Sequence, residues 1–295
     1  MLTKCLRYDL AAVLRLVWIL LIVIFCAVLG VGGGFRVCGQ LSVSLSDTLE
    51  SSNAIIFATL GIIGSYLFSM ACILVIGGCF TVGTILAYWR VYSNFFTDEG
   101  YLTFTLPVKR STLYLSKVIT CTLVEVLMTV AAATAAVLIV PFVLPTTEGF
   151  SLINPEFFKS LAFMFKDMWT GLSFWPFLWI LMIPFFSLVS MLASNGLILL
   201  CLTLGASVFK KGKLLGAIGF YWLVNALTYV VTQLASIPLT FAMTGLMIAV
   251  FGAGPFVAGL TLTVGILVIT AAIACGAALL HFTNLTLLER KLNLA

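Results

Sequence analysis

Charged residues fall in clusters along the chain, and between the clusters run long apolar stretches. Residues 16–35, 51–89, 168–209 and 214–288 contain no Asp, Glu, Lys or Arg, and 118–147 contains Glu125 alone. A helix crosses the hydrocarbon core of a bilayer with roughly 20 residues. The run 16–35 is therefore one crossing, while each longer run holds either one long helix or two short ones. Positive charge chooses between these, because Lys and Arg gather in the cytoplasmic loops. With single crossings at 51–89, 118–147 and 168–209, one face collects Lys4, Arg7, Arg15, Arg90, Lys109, Arg110, Lys117, Lys210, Lys211, Lys213, Arg290 and Lys291. Of the 15 Lys and Arg, the other face keeps Arg36, Lys159 and Lys166, outnumbered there by Asp47, Glu50, Glu148, Glu156 and Asp167. A hairpin within 51–89 would throw the basic 90–117 loop outside.

The run 214–288 must then cross an even number of times to return Glu289, Arg290 and Lys291 to the same face. Helices at 214–236 and 256–281 do this. The apolar segment between them is interrupted by Pro238, Gly245, Gly252, Gly254 and Pro255, which break helices, so 237–255 is predicted to dip into the membrane and return. The predicted fold is all-α and integral to the membrane, with six transmembrane helices, both termini cytoplasmic and a re-entrant segment before the last helix. Residues 1–15 form an N-terminal amphipathic helix lying along the interface, and 16–295 the six-helix transmembrane domain. In the first of these, Leu2, Cys5, Leu6, Leu10, Val13 and Leu14 recur near helical spacing, and Lys4, Arg7 and Tyr8 face the headgroups. The span-length run after Arg15, with no small-x-small site behind it, reads as an uncleaved first helix rather than a signal peptide. In the external loop 145–172, Asn154 caps a helix with Pro155 at its first position and Glu156 in its first turn. Phe158, Leu161, Ala162, Phe165 and Trp169 then repeat at helical spacing along the outer surface. Trp175 and Trp179 outside and Trp89 inside fit interfacial aromatic belts.

Composition agrees with the pattern. The 295 residues are 62% hydrophobic and 8% charged, with a mean hydropathy of +1.23. A soluble domain carries about 25% charged residues because its surface is wetted; this composition excludes most soluble enzyme classes and nucleic-acid binding. The eight cysteines form no CxxC pair, so neither a disulfide framework nor a zinc site is indicated. There is one histidine, and no HExxH, GxSxG or GxxxxGK[ST] motif; VFKKGKLLG lacks the glycine-bounded loop that would present amides to phosphate. The chain is expected to bind no cofactor itself, and any nucleotide energy comes from another polypeptide.

The most informative stretch is the cytoplasmic loop 90–117. Thr97 caps a short helix there, Asp98 and Glu99 favour its positive end, and Pro107 ends it. Such a helix presents Phe95, Phe96, Tyr101, Leu102 and Phe104, either to a groove in a partner protein or to the headgroup layer. The segment TDEGYLTFTLPVKRSTLYLSK resembles the membrane subunits of type-2 (ABC-2) ABC exporters, in which an acidic and aromatic coupling helix is followed by TLPVxRxxxxxxK at the entry into the third helix. LTLGASVFKKGKLLGAIGFYW resembles the junction of the fourth and fifth helices of these permeases, and LLERKLNLA their C-terminus. The likeness covers most of the chain in order, and is nearest to the small bacterial permeases that export amphipathic helical peptides, such as the phenol-soluble modulin exporters. It implies a half-transporter in the bacterial plasma membrane: two copies pair, each above a separate cytoplasmic ATPase that holds ATP and Mg. By the same likeness Thr97, Asp98, Glu99, Gly100, Tyr101 and Leu102 make the docking contact, and Leu106, Pro107 and Val108 the turn into helix three. The chain departs from the common LPVSR in having Lys109 where Ser is usual.

Glu125 lies about two turns into the third crossing, where a carboxylate is expensive unless paired or facing water. It either lines a cavity that attracts cationic substrates, or snorkels or pairs with Lys117 or another neighbour. Asn195 and Asn225 either line the same pathway or bond between helices. His281 is placed at the inner end of the last crossing, and Asn284 of the NLT sequence on the cytoplasmic face, out of reach of glycosylation. Few intramembrane charges and 24 phenylalanines favour a hydrophobic or amphipathic cargo, helical peptides among them. An ion-coupled carrier or channel, which needs a chain of intramembrane ionisable groups, and a non-transporting anchor or sensor for a cytoplasmic protein are the alternatives.

Overall fold

The computed structural model describes residues 2–47, 52–97, 100, 109–143, 155–172, 175–209, 212–230, 233–234 and 255–290. The elements among them are helices: α1 Leu2–Asp47, α2 Ser52–Phe96, α3 Arg110–Val143, α4 Pro155–Leu172, α5 Trp175–Val208 and α7 Pro255–Arg290, with α6 over Lys213–Val230. Six of the seven, all but α4, contain a stretch long and apolar enough to cross a membrane. The protein is a six-span, all-α, multi-pass membrane protein. The expected re-entrant segment lies outside the described residues except for Pro255, which opens α7.

The helices run beyond the apolar stretches that define the crossings. α1 has 46 residues and α2 has 45, more than twice the roughly 20 that the hydrocarbon core requires. A helix is propagated by bonds between residues four apart, so Arg15, Arg36 or Arg90 extends it past the apolar run without breaking it. For the same reason the expected boundary between an interfacial helix 1–15 and a first crossing from 16 is not a break. Residues 1–15 are instead, from Leu2 on, the first four turns of α1. Their expected sidedness is visible: Lys4, Arg7 and Tyr8 are exposed, Cys5, Leu6 and Leu10 half-covered, and Val13 buried. The amphipathic helix expected in the external loop begins at Pro155, and its side chains from Phe158 to Asp167 are exposed throughout.

Contacts divide the chain into two units. One comprises Leu10–Tyr88 and Leu123–Phe165. Here small residues bring α1 and α2 together. A Cβ on Gly30 would lie 2.8 Å from Cys72 Sγ, and one on Gly34 would lie 3.1 Å from the Ser65 carbonyl oxygen. Phe35 and Tyr66 meet edge to face at 6.3 Å. α3 joins α2 where Met128, wholly buried, lies against Gly83.

The other unit comprises Met1–Asp9, Trp89–Thr122 and Lys166–Ala295. α5 and α7 pack against each other in it. Gly196 permits their approach, since a Cβ there would come within 3.2 Å of Leu280 Cβ. Trp175 lies on Gly259 and stacks obliquely on Phe256 at 5.7 Å, and Trp179 Nε1 donates to Thr263 Oγ1 at 3.1 Å. These two indoles, expected in an interfacial belt, are spent on the α5–α7 seam, whereas Trp89 is exposed. α5 turns into α6 through Gly212, whose φ of 75° suits glycine.

Candidate coupling site

The site is built in the second of these units where the end of α2 meets the beginnings of α1, α3 and α6. The last turn of α2 carries Phe95 and Phe96, which are 2% and 4% exposed. They meet edge to face at 6.2 Å. Both were expected on a solvent-facing knob, and that expectation is corrected: α2 continues through them, and the tertiary fold covers both rings. Thr97 was expected to cap a new helix at its N-terminus. Its hydroxyl donates backward to the Ser93 carbonyl at 2.5 Å, and its own carbonyl accepts the amide of Gly100, itself helical, at 2.8 Å. Gly100 is buried, and a Cβ there would sit 2.6 Å from the Phe95 carbonyl oxygen. Backbone meets backbone at this point, which requires glycine. Asp98, Glu99, Tyr101, Leu102 and Phe104, and Leu106, Pro107 and Val108 with them, lie outside the described residues.

Two cations, Lys117 and Lys213, tie this turn to its neighbours, and a third, Arg110, ties α3 to α7. Lys117 on α3 forms an ion pair with Asp9 on α1, and Ser116 donates to the other carboxylate oxygen at 3.3 Å. The Lys117 ammonium also lies over the Phe95 ring, 5.9 Å from its centre, within cation–π range. Lys213, the first residue of α6, reaches the Phe96 carbonyl at 3.4 Å. Arg110, the first of α3, donates to the Leu288 carbonyl near the end of α7 at 3.0 Å. Of these contacts, the Lys117–Phe95 ring contact and the Lys213–Phe96 bond touch residues 95–100; the Asp9–Lys117 pair joins α1 to α3, and the Arg110–Leu288 bond joins α3 to α7. None of these partners was foreseen from the sequence. Asp9 and Lys117 are 108 positions apart, and each reads by itself as a headgroup-facing charge.

Each residue expected along a translocation path bonds within its own unit. Glu125 is buried, and accepts the hydroxyl of a neighbour, Tyr88, at 2.5 Å, one of the pairings expected for it; Lys117 pairs with Asp9. Asn195 is fully buried and donates to Thr122 Oγ1 at 3.1 Å, the interhelical bond that was one of its two expected uses. Asn225 is exposed on α6 and donates within its own helix to the Tyr221 carbonyl at 2.8 Å.

A row of polar contacts between α3, α5 and α7 was missed by sequence reasoning. His281 Nε2 lies 3.1 Å from the Leu192 carbonyl, and Nδ1 lies 2.6 Å from the Tyr114 hydroxyl. A carbonyl only accepts, so the ring proton is on Nε2 and Nδ1 accepts from Tyr114. One turn further on, Asn284, with no exposed surface, donates to the Gly196 carbonyl at 2.9 Å and accepts from Thr203 at 3.1 Å. The helical spacing of His281, Asn284 and Leu288 was the available signal, since it puts all three on one face of α7. Among the described residues, no group of three or more His, Cys, Asp or Glu is placed to hold a metal. No family model, curated protein or solved structure matches the chain.

Proposed function

We propose that this chain is the permease subunit of an ATP-driven exporter of the type-2 ABC class. In this reading a separate ATPase docks beneath the loop that joins α2 to α3. The likeness of residues 97–117 to a coupling helix and the entry into the third helix is the sequence support. The structural observation that carries the reading is the set of ties around Phe95–Gly100. A displacement of the end of α2, tied to α3 through Lys117 and to α6 through Lys213, is passed to those helices, because close-packed elements move together rather than deform. A loop that merely rested in headgroups would need no such anchorage. The Asp9–Lys117 pair, the Lys117–Phe95 contact and the Gly100 approach make the turn a stiff part.

In operation, ATP binding draws the ATPase pair together, and the motion enters through Asp98–Leu102 and leaves through α2 and α3. Two copies of the chain enclose a pathway for a hydrophobic or amphipathic cargo, helical peptides included, moving out of a bacterial cell. The chain contributes no nucleotide chemistry; ATP and Mg belong to the partner. The exposed apolar surface of the spans and the low charge content suit such a cargo better than a hydrophilic ion, which would need polar replacements for its lost water.

The test is coexpression with the candidate ATPase subunits of a bacterial host. The wild-type chain is expected to retain one through purification and to stimulate its ATP hydrolysis. Tyr101→Asp with Leu102→Asp is expected to abolish retention while membrane insertion is unchanged. Retention and stimulation that survive the double change would remove the coupling assignment.

A further inference from the structure

Among the described residues, α4 is the one helix without a stretch apolar enough to cross a membrane, and its side chains are sorted by face. Successive residues of a helix are turned by about 100° from one another. Over residues 158–167 this puts Phe158, Leu161, Met164 and Phe165 on one side of α4, and Lys159, Ser160, Lys166 and Asp167 on the other. Phe163 is the exception, an aromatic residue between Lys159 and Asp167 on the polar side. The fold leaves the apolar side bare. Phe158, Leu161, Met164 and Phe165 are 40–69% exposed, and Phe163 is 64% exposed. A contiguous apolar surface of this kind marks a contact with a protein or with a membrane.

The tether of α4 favours the membrane. α4 ends at Leu172, and α5 begins three positions later at Trp175, with its crossing stretch starting at Phe177. Three residues reach at most about 11 Å, so the end of α4 is held beside the point where a span enters the bilayer. Apolar side chains placed there leave water without needing a second protein. Charge gives no competing pull, because Glu156, Lys159, Lys166 and Asp167 sum to zero. A helix with one apolar face, a charged opposite face and too little hydrophobicity to cross lies in the plane of the interface, its apolar face sunk about 5–10 Å. We propose that α4 lies flat in the leaflet from which α5 starts, with Phe158, Leu161, Met164 and Phe165 against the acyl chains and Lys159, Phe163 and Asp167 toward water. Lipid is the occupant of this face, and an uncharged headgroup layer suffices. The proposal requires only that α5 spans the membrane, and stands apart from the exporter reading.

The test compares two phenylalanines two positions apart, both exposed in the chain and about 200° apart around the helix. An environment-sensitive fluorescent amino acid is placed at position 165 or at position 163 of the full chain, which is reconstituted into phosphatidylcholine vesicles. Quenching is read with acyl-brominated phosphatidylcholine and with aqueous iodide. Position 165 is expected to emit at shorter wavelength, to be quenched by the brominated lipid and to lose iodide quenching; position 163 is expected to show the reverse. In the position-165 protein, Leu161→Asp puts a charge into the middle of the apolar face and should restore iodide quenching. Adding phosphatidylglycerol to the vesicles should change none of this. Equal iodide quenching at the two positions would overturn the proposal, since α4 would then stand in water. Shielding of position 165 from iodide without quenching by brominated lipid would put a protein on the face, a second copy of the chain included, and overturn it as well. Shielding that survives Leu161→Asp, or that appears only with phosphatidylglycerol, would show that burial of these side chains in lipid is not what holds the helix, and would overturn it too.

Discussion

Removing either member of the Asp9–Lys117 pair is expected to destabilise the protein far more than removing both. The two side chains are 13% and 6% exposed, so neither charge recovers its water when the other is deleted. Breaking a buried pair by losing one partner costs about 3–5 kcal/mol in general. Some is returned here: the Phe95 ring beneath Lys117 is worth about 1 kcal/mol to a partly desolvated ammonium, and Ser116 remains beside the carboxylate. Asp9→Asn and Lys117→Met should therefore each cost about 2–4 kcal/mol. The double variant leaves no uncompensated charge, and should fall short of the sum of the singles by more than about 1 kcal/mol. The assay is reversible unfolding of the purified chain in mixed micelles, followed by tryptophan fluorescence. Repeating it at about 1 M salt should leave the coupling in place, since buried pairs are screened much less than exposed ones. Additivity of the singles within about 0.5 kcal/mol would show that the pair is solvated, and the anchoring argument would fail with it.

Gly100→Ala forces a Cβ onto the Phe95 carbonyl and should cost about 1–3 kcal/mol, as overpacking does, visible as a lower unfolding midpoint. Asn284→Leu breaks two bonds at a site with no exposed surface, and at about 0.6–1.7 kcal/mol for each interhelical bond in a membrane should cost about 1–3 kcal/mol. Tyr88→Phe removes a donor from the Glu125 carboxylate and should cost about 1.5–3 kcal/mol. Glu125→Gln, whose amide oxygen still accepts that hydroxyl, should cost less; the reverse order in unfolding midpoints would show that the carboxylate is stabilised from elsewhere.

The crossings were legible because the signal for them is one-dimensional: an apolar run of sufficient length, with cations at one end, needs no knowledge of neighbours. The helix starting at Pro155 was legible for the same reason, since a cap and a first-turn proline act within a few residues. Helix ends were not. The run that stops at Trp89 belongs to a helix that continues to Phe96, because backbone hydrogen bonds ignore the hydrophobicity that marks the membrane. At the candidate site, the importance of residues 95–100 was visible in composition, but the direction of Phe95 and Phe96 was not. An aromatic side chain is covered or bare according to what the rest of the chain brings beside it, here Lys117 and its partner Asp9. The partners of His281 and Asn284 on α3 and α5 were hidden likewise, because each lies more than 70 positions away in the chain.

α6 shares with α5 the smallest buried fraction of the six spans among the described residues. Its first turns touch α5 so closely that a Cβ on Gly205 would lie 2.4 Å from the Ala217 amide nitrogen, but from Tyr221 to Val230 every side chain except Val224 is exposed. Among the described residues it is held at its first turns and exposed along most of the rest. Its 18 residues extend about 27 Å at 1.5 Å per residue, so a tilt of about 10° at the Gly205–Ala217 clamp carries the far tip by about 5 Å. The clamp adjoins Lys213, which bonds to Phe96. A small push at the end of α2 is thereby delivered to the root of a span that, among the described residues, is largely exposed beyond Phe220.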